Sequence, residues 1–227
     1  MSRRGPCIAI DGPVGAGKST IARLVAQGLG YTYIDTGAMY RALAWAARQA
    51  AITGDDSDPV VHLLQRTDID LRLQADGANR VFVDGSDITG EIRSPEISQL
   101  ASKLSAIPTI RRRMVALQQG MAREGCVVME GRDIQTVVLP EAEVKIFLTA
   151  SAEERARRRW EELRGRGREA DLQQVLADIE ARDARDTTRA DSPLKPAPDA
   201  VHVDTDGLTI EQVVAKVLAI AKERGST

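Results

Sequence analysis

The sequence predicts an α/β fold in which about five parallel strands form a sheet with helices on both faces. Two observations carry this. Short apolar runs without polar alternation, the mark of strands buried on both faces, alternate with amphipathic helical patterns, and the first run ends in a glycine-rich turn. That run is Cys7-Ile8-Ala9-Ile10-Asp11, and it is followed by Ile21, Leu24, Val25 and Leu29 at helical spacing. Tyr31 to Asp35 reads as a second strand, and Thr36-Gly37 opens a helix running to about Ala51. Cys126 to Met129 and Val144 to Leu148 are further buried strands, the latter followed by the capping-box pattern Ser151-Ala152-Glu153-Glu154. Ala200 to Val203 reads as the last strand. Thr209-Ile210-Glu211-Gln212 then caps a final helix whose Ile210, Val213, Val214, Val217, Leu218 and Ala221 share one face.

One stretch departs from this rhythm. Ile69 to Leu73 alternates, Gly77-Ala78-Asn79 is turn-like, and Val81-Phe82-Val83 comes next, which together predict a hairpin with one wet face. Ser94-Pro95-Glu96 then starts a helix, with a cap before a proline at the first helical position. Residues 67–106 are therefore read as a small inserted α+β subdomain within a single domain covering 1–227.

The 227 residues include 31 Lys+Arg and 33 Asp+Glu, a formal charge of −2, which argues against binding nucleic acid through bulk electrostatics. No apolar run approaches the roughly 20 residues needed to span a bilayer. Met1-Ser2-Arg3-Arg4 leads into a strand without the apolar stretch of a signal peptide, so a soluble cytoplasmic protein with no membrane partner is expected. Cys7 and Cys126 are accordingly expected as reduced thiols. Six of the basic residues are Lys and 25 are Arg, a bias toward groups that bind phosphate or carboxylate with two prongs.

Gly12-Pro13-Val14-Gly15-Ala16-Gly17-Lys18-Ser19 fits the P-loop pattern G-x-x-x-x-G-K-[ST] in its required place, after a strand and before a helix. A chance match in a chain this long is on the order of one in a hundred. Glycines let successive N–H groups curl toward an anion, and the helix amino terminus beyond, starting at Ser19-Thr20, favours phosphate. Lys18 can reach the β- and γ-phosphates of ATP, and the Ser19 hydroxyl can ligate Mg²⁺. The sole asparagine, Asn79, rules out the guanine-reading Asn-Lys-x-Asp motif, and the signatures of protein kinases are missing. The third strand ends Val128-Met129-Glu130-Gly131-Arg132-Asp133 rather than in the Asp-Glu pair of motor ATPases.

Ligands of open parallel sheets gather at the carboxyl ends of the strands. Arg132 falls there and Arg41 lies one turn into the helix after the second strand, so both are candidates for ligand binding. Arg155, Arg157, Arg158 and Arg159 open a later helix, with Arg164, Arg166 and Arg168 beyond it. Three readings stand: a solvated helix paired with the interleaved glutamates, an RNA-binding stretch, or a lid over residues 155–170 that closes on a transferring phosphoryl group. Only seven aromatic residues offer stacking platforms for RNA bases. Arg182, Asp186 and Arg189 share one helix face, as an ion-pair ladder or as a wall of the cleft. His62 and His202 have no partner pattern.

The P-loop, Asp35-Thr36-Gly37-Ala38-Met39-Tyr40-Arg41, Gly131-Arg132-Asp133-Ile134 and Arg182-Asp183-Ala184-Arg185-Asp186-Thr187-Thr188-Arg189 occur together. The combination resembles the bacterial cytidylate kinases, a family of nucleoside monophosphate kinases, over essentially the whole chain. The resemblance implies transfer of the γ-phosphoryl group of ATP to CMP or dCMP with Mg²⁺, by a monomer. It further implies that the insertion is a monophosphate-binding subdomain and that Arg158 and Arg159 are catalytic lid residues beside Lys18 and Arg132. By the same resemblance, Arg41 and Arg132 would hold the CMP phosphate, and Thr36 would belong to the CMP site. Ser102, Arg111 and Asp133 would read the base, Arg182 and Asp186 would touch the ribose, and Arg189 would lie near phosphate or base. Gln135 stands where the family more often has glycine, which bears on the backbone at the phosphate site, and Thr36 stands where serine is frequent.

Overall fold

In the computed structural model, which describes residues 5–52, 57–73, 79–165 and 167–225, the chain forms one five-stranded parallel sheet and one three-stranded antiparallel sheet. The larger is built from β1 (Cys7–Asp11), β2 (Thr32–Asp35), β6 (Val127–Gly131), β7 (Val144–Thr149) and β8 (Val201–Asp204), in the order β2-β6-β1-β7-β8. Registers such as Ile10↔Glu130 and Ile10↔Ile146 show β1 paired in parallel on both sides. With β1 at the centre and successive strands added to either side of it, the crevice at the strand ends opens beyond Asp11 and Gly131.

The two faces have separate cores. Ile8 and Ile10 of β1 pack with Ile21 and Val25 of α1 (Lys18–Leu29) and with Val213 and Val217 of α8 (Ile210–Arg224). Cys7, Ala9 and Met129 point the other way, against Ile134, Val138 and Ala122. The capping box of α8 is complete, with the Gln212 side chain accepting from Thr209 N–H and Thr209 Oγ1 from Gln212 N–H.

The chain that connects β2 to β6 builds a third core. It is shared by α2 (Thr36–Gln49), α3 (Ser57–Arg66), β3 (Ile69–Leu73), β4 (Asn79–Val83), α4 (Pro95–Leu104) and α5 (Pro108–Met121). The expected hairpin is present as β3 and β4, with Ile69 opposite Val83, but part of its turn, including Gly77 and Ala78, lies outside the described residues. Asn79 opens β4 instead of belonging to the turn, and its Nδ2 donates to the Tyr33 carbonyl at 3.0 Å, fastening the insertion to β2. A short β5 (Ser86–Asp87) pairs with β4, an addition too brief and polar to leave a pattern in the sequence. Ser94 caps α4 as expected, its Oγ accepting from Ile97 N–H.

Several boundaries shift by a residue or two from the expectations, and two of them have a backbone cause. Gly125 and Cys126 have φ of 76° and 54°, so Cys126 is a left-handed turn residue and β6 starts one residue later. The helix after β2 ends at Gln49, because Ala51 takes a φ of 56°. Among the described residues neither cysteine forms a disulfide; Cys7 is buried, its thiol donating to the Ala122 carbonyl at 3.9 Å, and Cys126 is partly buried. His62 and His202 are exposed, the latter tilted against Phe147. Among the described residues no helix is long and apolar enough to cross a membrane.

Candidate active site

The glycine-rich turn between β1 and α1 has the backbone that its sequence demands. Gly12, Gly15 and Gly17 have φ of 155°, 78° and 84°. A Cβ on Gly12 would stand 2.1 Å from the Leu148 carbonyl oxygen, so the loop lies against β7 as no other residue could. Lys18 is buried and folds back to donate to the Pro13 carbonyl at 2.6 Å, and burial, then the nearby charge of Arg132, lowers its pKa. Such a group gains from a bound anion.

Cationic side chains converge opposite the loop. Arg132, just past β6, donates from Nε to Asp186 Oδ2 at 2.9 Å and from Nη1 to the Gly131 carbonyl at 3.1 Å. Asp186 lies on α7 (Leu172–Thr188). Burial opposes its charge, but Arg132, Arg182 and Arg189 together hold its carboxyl below the usual range. Arg182, one turn earlier on α7, has a buried Nε with no hydrogen-bond partner among the described residues, and burial, then repulsion from Arg132, lowers it to about 10. Arg41 adds to that repulsion, and its own Nη2 is held by Asp35 Oδ2 at 3.0 Å. Asp35 also caps α2 by accepting from Ala38 N–H at 2.8 Å.

Beside these groups Arg111 of α5 is paired with Asp133 and donates to the Ser105 carbonyl at 3.1 Å. Arg189 Nη2 approaches Asp133 at 3.7 Å without completing a hydrogen bond. Ser102 is half-buried on α4. Thr36 donates its hydroxyl to the Glu130 carbonyl at 2.7 Å. The Glu130 carboxylate accepts from Tyr33 at 3.1 Å and from Ser19, and burial, then the charge of Asp35, raises its pKa.

The arginines expected in the lid are engaged elsewhere in this structure. Arg158 is held by Glu154 at 2.8 Å and by Thr205, its Nη1 at 3.0 Å from Oγ1 and its Nη2 at 2.8 Å from the carbonyl. Arg159 pairs with Glu162 at 2.7 Å on the exposed side of α6 (Ala152–Gly165). The structure brings neither to the phosphate loop, because glutamates three or four residues away neutralise them within their own helix. Arg155 of the same helix does reach the loop, donating to the Val14 carbonyl at 2.9 Å. Arg166 lies outside the described residues.

Two buried side chains that hold the site together had no signal in the sequence. Asp11 accepts from Ile134 N–H at 3.0 Å and Gln135 N–H at 2.9 Å, directly behind Arg132 and Asp133. Gln135 turns away from the cleft. Its amide donates to the Ile146 carbonyl at 3.3 Å and accepts from Ala197 N–H at 3.0 Å, so the change from glycine is absorbed in the core.

A phosphate loop on a parallel sheet, facing a second wall of arginines, defines a P-loop phosphotransfer fold. Within that class, the sequence profile described as Cytidylate kinase matches residues 8–223, and the chain belongs to this family. A cytidylate kinase of Pelotomaculum thermopropionicum is 53% identical over 214 residues, covering 94% of this chain and 95% of its own. One of Desulfitobacterium hafniense is 51% identical over 220 residues, covering 97% and 94%. A crystal structure of an uncharacterized protein from Eubacterium ventriosum superposes with a TM-score of 0.52 at 12% identity, over 97% of this chain and all of the other, a likeness of fold alone.

Burial raises the Asp11 carboxyl from 3.8 to about 6, so between those values the folded protein holds a proton that the unfolded chain releases. This contribution to stability is complete below pH 3.8 and is lost as pH rises through about 6. In urea denaturation, the stability of the wild type relative to Asp11→Asn is expected to fall by about 2 kcal/mol between pH 4 and pH 7. A pH-independent difference would contradict this.

Proposed function

We propose that the chain is a cytidylate kinase that transfers the γ-phosphoryl group of ATP to CMP or dCMP, yielding ADP and CDP or dCDP. The observation that carries this reading is Arg182. It is a mostly buried guanidinium whose charge is felt by Lys18, which repels Arg132, and which makes no hydrogen bond to any described residue. Cations gathered without full counter-charge suit a ligand bearing several negative charges.

In this reading the N–H groups of residues 12–20 and Lys18 cradle the β- and γ-phosphates of ATP. Arg41, Arg132 and Arg182 hold the monophosphate opposite them. Thr36 braces the end of β6 beside that phosphate, its hydroxyl being committed to Glu130. Arg111, Asp133 and Ser102 lie where the base would be read, with Asp186 and Arg189 beside the sugar. The acceptor phosphate, with a second pKa near 6, is mostly dianionic at pH 7 and attacks without a general base. The residues therefore act by alignment and by neutralising charge on the transferring group within one displacement. Arg158 and Arg159 reach that group only if their bonds to Glu154, Thr205 and Glu162 break, so the neutralisation is assigned to Lys18, Arg132 and Arg182.

The residues present also fit Mg²⁺. Ser19 Oγ, Glu130 and Asp35 are hard oxygen donors at the loop, and Glu130 is a buried carboxylate whose charge is only partly compensated. Among the described residues there is no cluster of three or more His, Cys, Asp or Glu that could hold a metal ion. That suits an ion held by one or two side chains and otherwise by phosphate and water. When bound, Mg²⁺ neutralises charge on the β- and γ-oxygens. Ser19 is the ligand proposed here, with Glu130 orienting its hydroxyl.

The direct test is ADP formation from ATP with a panel of monophosphates. CMP and dCMP are expected to be the preferred acceptors; equal turnover of AMP, dTMP or shikimate, or hydrolysis of ATP without an acceptor, would contradict the reading. Arg132→Ala should fold and lose on the order of 100-fold or more in turnover, the scale of one removed transition-state donor. An unchanged rate would strip Arg132 of its role.

A further inference from the structure

Asp183 sits between Arg182 and Asp186 on α7 but addresses the phosphate loop instead of the acceptor pocket. Its Oδ1 accepts from Val14 N–H at 3.2 Å, and its Oδ2 is paired with Arg155 Nη1. That same Nη1 donates to the Val14 carbonyl at 2.9 Å, while Arg155 Nε donates to the Ala150 carbonyl at 3.0 Å. Both backbone polar groups of one loop residue are therefore held by side chains, one from α6 and one from α7. The Val14 side chain packs against Ala156, Val175 and Ile179 of the same two helices. Arg155 is buried, and its Cβ lies 3.1 Å from where a Cβ on Gly15 would stand.

The loop needs such support. Its glycines hold left-handed conformations at Gly15 and Gly17, and the N–H groups beyond Val14 bind phosphate only while they point inward together. A loop free to sample other shapes loses affinity to the cost of ordering. Neither Asp183 nor Arg155 needs to touch a phosphate to remove that cost.

We propose that Asp183, acting with Arg155, is a positioning residue that pre-organises the phosphate loop for ATP. Because Asp183 shares α7 with Arg182 and Asp186, it also ties the order of the loop to the helix that faces the acceptor. The proposal rests on the reading of the loop as the ATP site.

The test is calorimetric titration of ATP, without acceptor, into wild type, Asp183→Ala, Asp183→Asn and Arg155→Gln, with CMP titrated separately and folding checked by circular dichroism. Losing the acceptor for Val14 N–H should weaken ATP binding about tenfold in Asp183→Ala. CMP affinity should be essentially unchanged. Asp183→Asn, which keeps an oxygen facing Val14 but turns an amide N–H toward Arg155, should restore part of the loss, and Arg155→Gln should share the ATP-selective defect. Wild-type ATP affinity in Asp183→Ala, an equal loss for CMP, or no rescue by asparagine would each overturn the proposal. If Asp183→Ala does not fold, Arg155→Gln decides by the same criterion. A wild type that binds ATP but does not phosphorylate CMP would refute the assigned acceptor and leave this test intact.

Discussion

Positive charge crowded into a buried crevice is the condition around which the rest of the structure is arranged. Lys18, Arg41, Arg132 and Arg182 act on one another strongly enough that burial and mutual repulsion lower Lys18 and Arg182. Left unopposed, such a cluster would push the strand ends apart. Carboxylates placed at intervals offset it: Asp186 on Arg132, Asp35 on Arg41, Asp133 on Arg111. The compensation is incomplete at Arg182, whose buried Nε has no hydrogen-bond partner among the described residues, while Arg189 Nη2 has only the charge of Asp133 at 3.7 Å. That residual imbalance is what a pair of phosphorylated ligands is suited to correct.

The sheet gives this charge its position. Parallel strands put Asp11, Asp35 and Glu130 at one edge, and the first two organise the segments after their strands or beside them. Asp35 caps α2 and orients Arg41. Asp11 fixes the backbone behind Arg132 and Asp133, although it sits at the root of the phosphate loop. In the proposed function, donor and acceptor sites would thereby share a common anchor at the centre of the sheet, and α7 would connect them again on the outside. Direct transfer between two ligands requires this kind of rigidity, since small misplacements of reacting atoms are costly in rate.

Much of this architecture was legible because its signals are local. Buried strands read as apolar runs, the phosphate loop is eight consecutive residues, and Arg132 stands out as a charge immediately after a buried strand. The β3–β4 hairpin and the start of α4 were legible through alternation at 69–73 and the Ser94 cap. The contacts that escaped notice depend on long-range meetings. Asp183 and Val14 are 169 residues apart, and Gln135 and Ala197 are 62 apart, with no spacing rule to pair them. Arg158 and Arg159 show the reverse case. Their pairing to Glu154 and Glu162 at helical distances is readable in the sequence, and their catalytic role rests on the resemblance. Arg155 stands in the same run, and only the fold separates it from its neighbours.

The claim at the centre of this account is that two anion sites face each other across the end of one sheet. Binding of a single molecule carrying both nucleosides, adenosine and cytidine joined through five phosphates, measures that arrangement directly. The account predicts one molecule bound per chain, more tightly than ATP or CMP alone, and competing with both. Displacement of only one of the two nucleotides, or binding of two copies per chain, would contradict it.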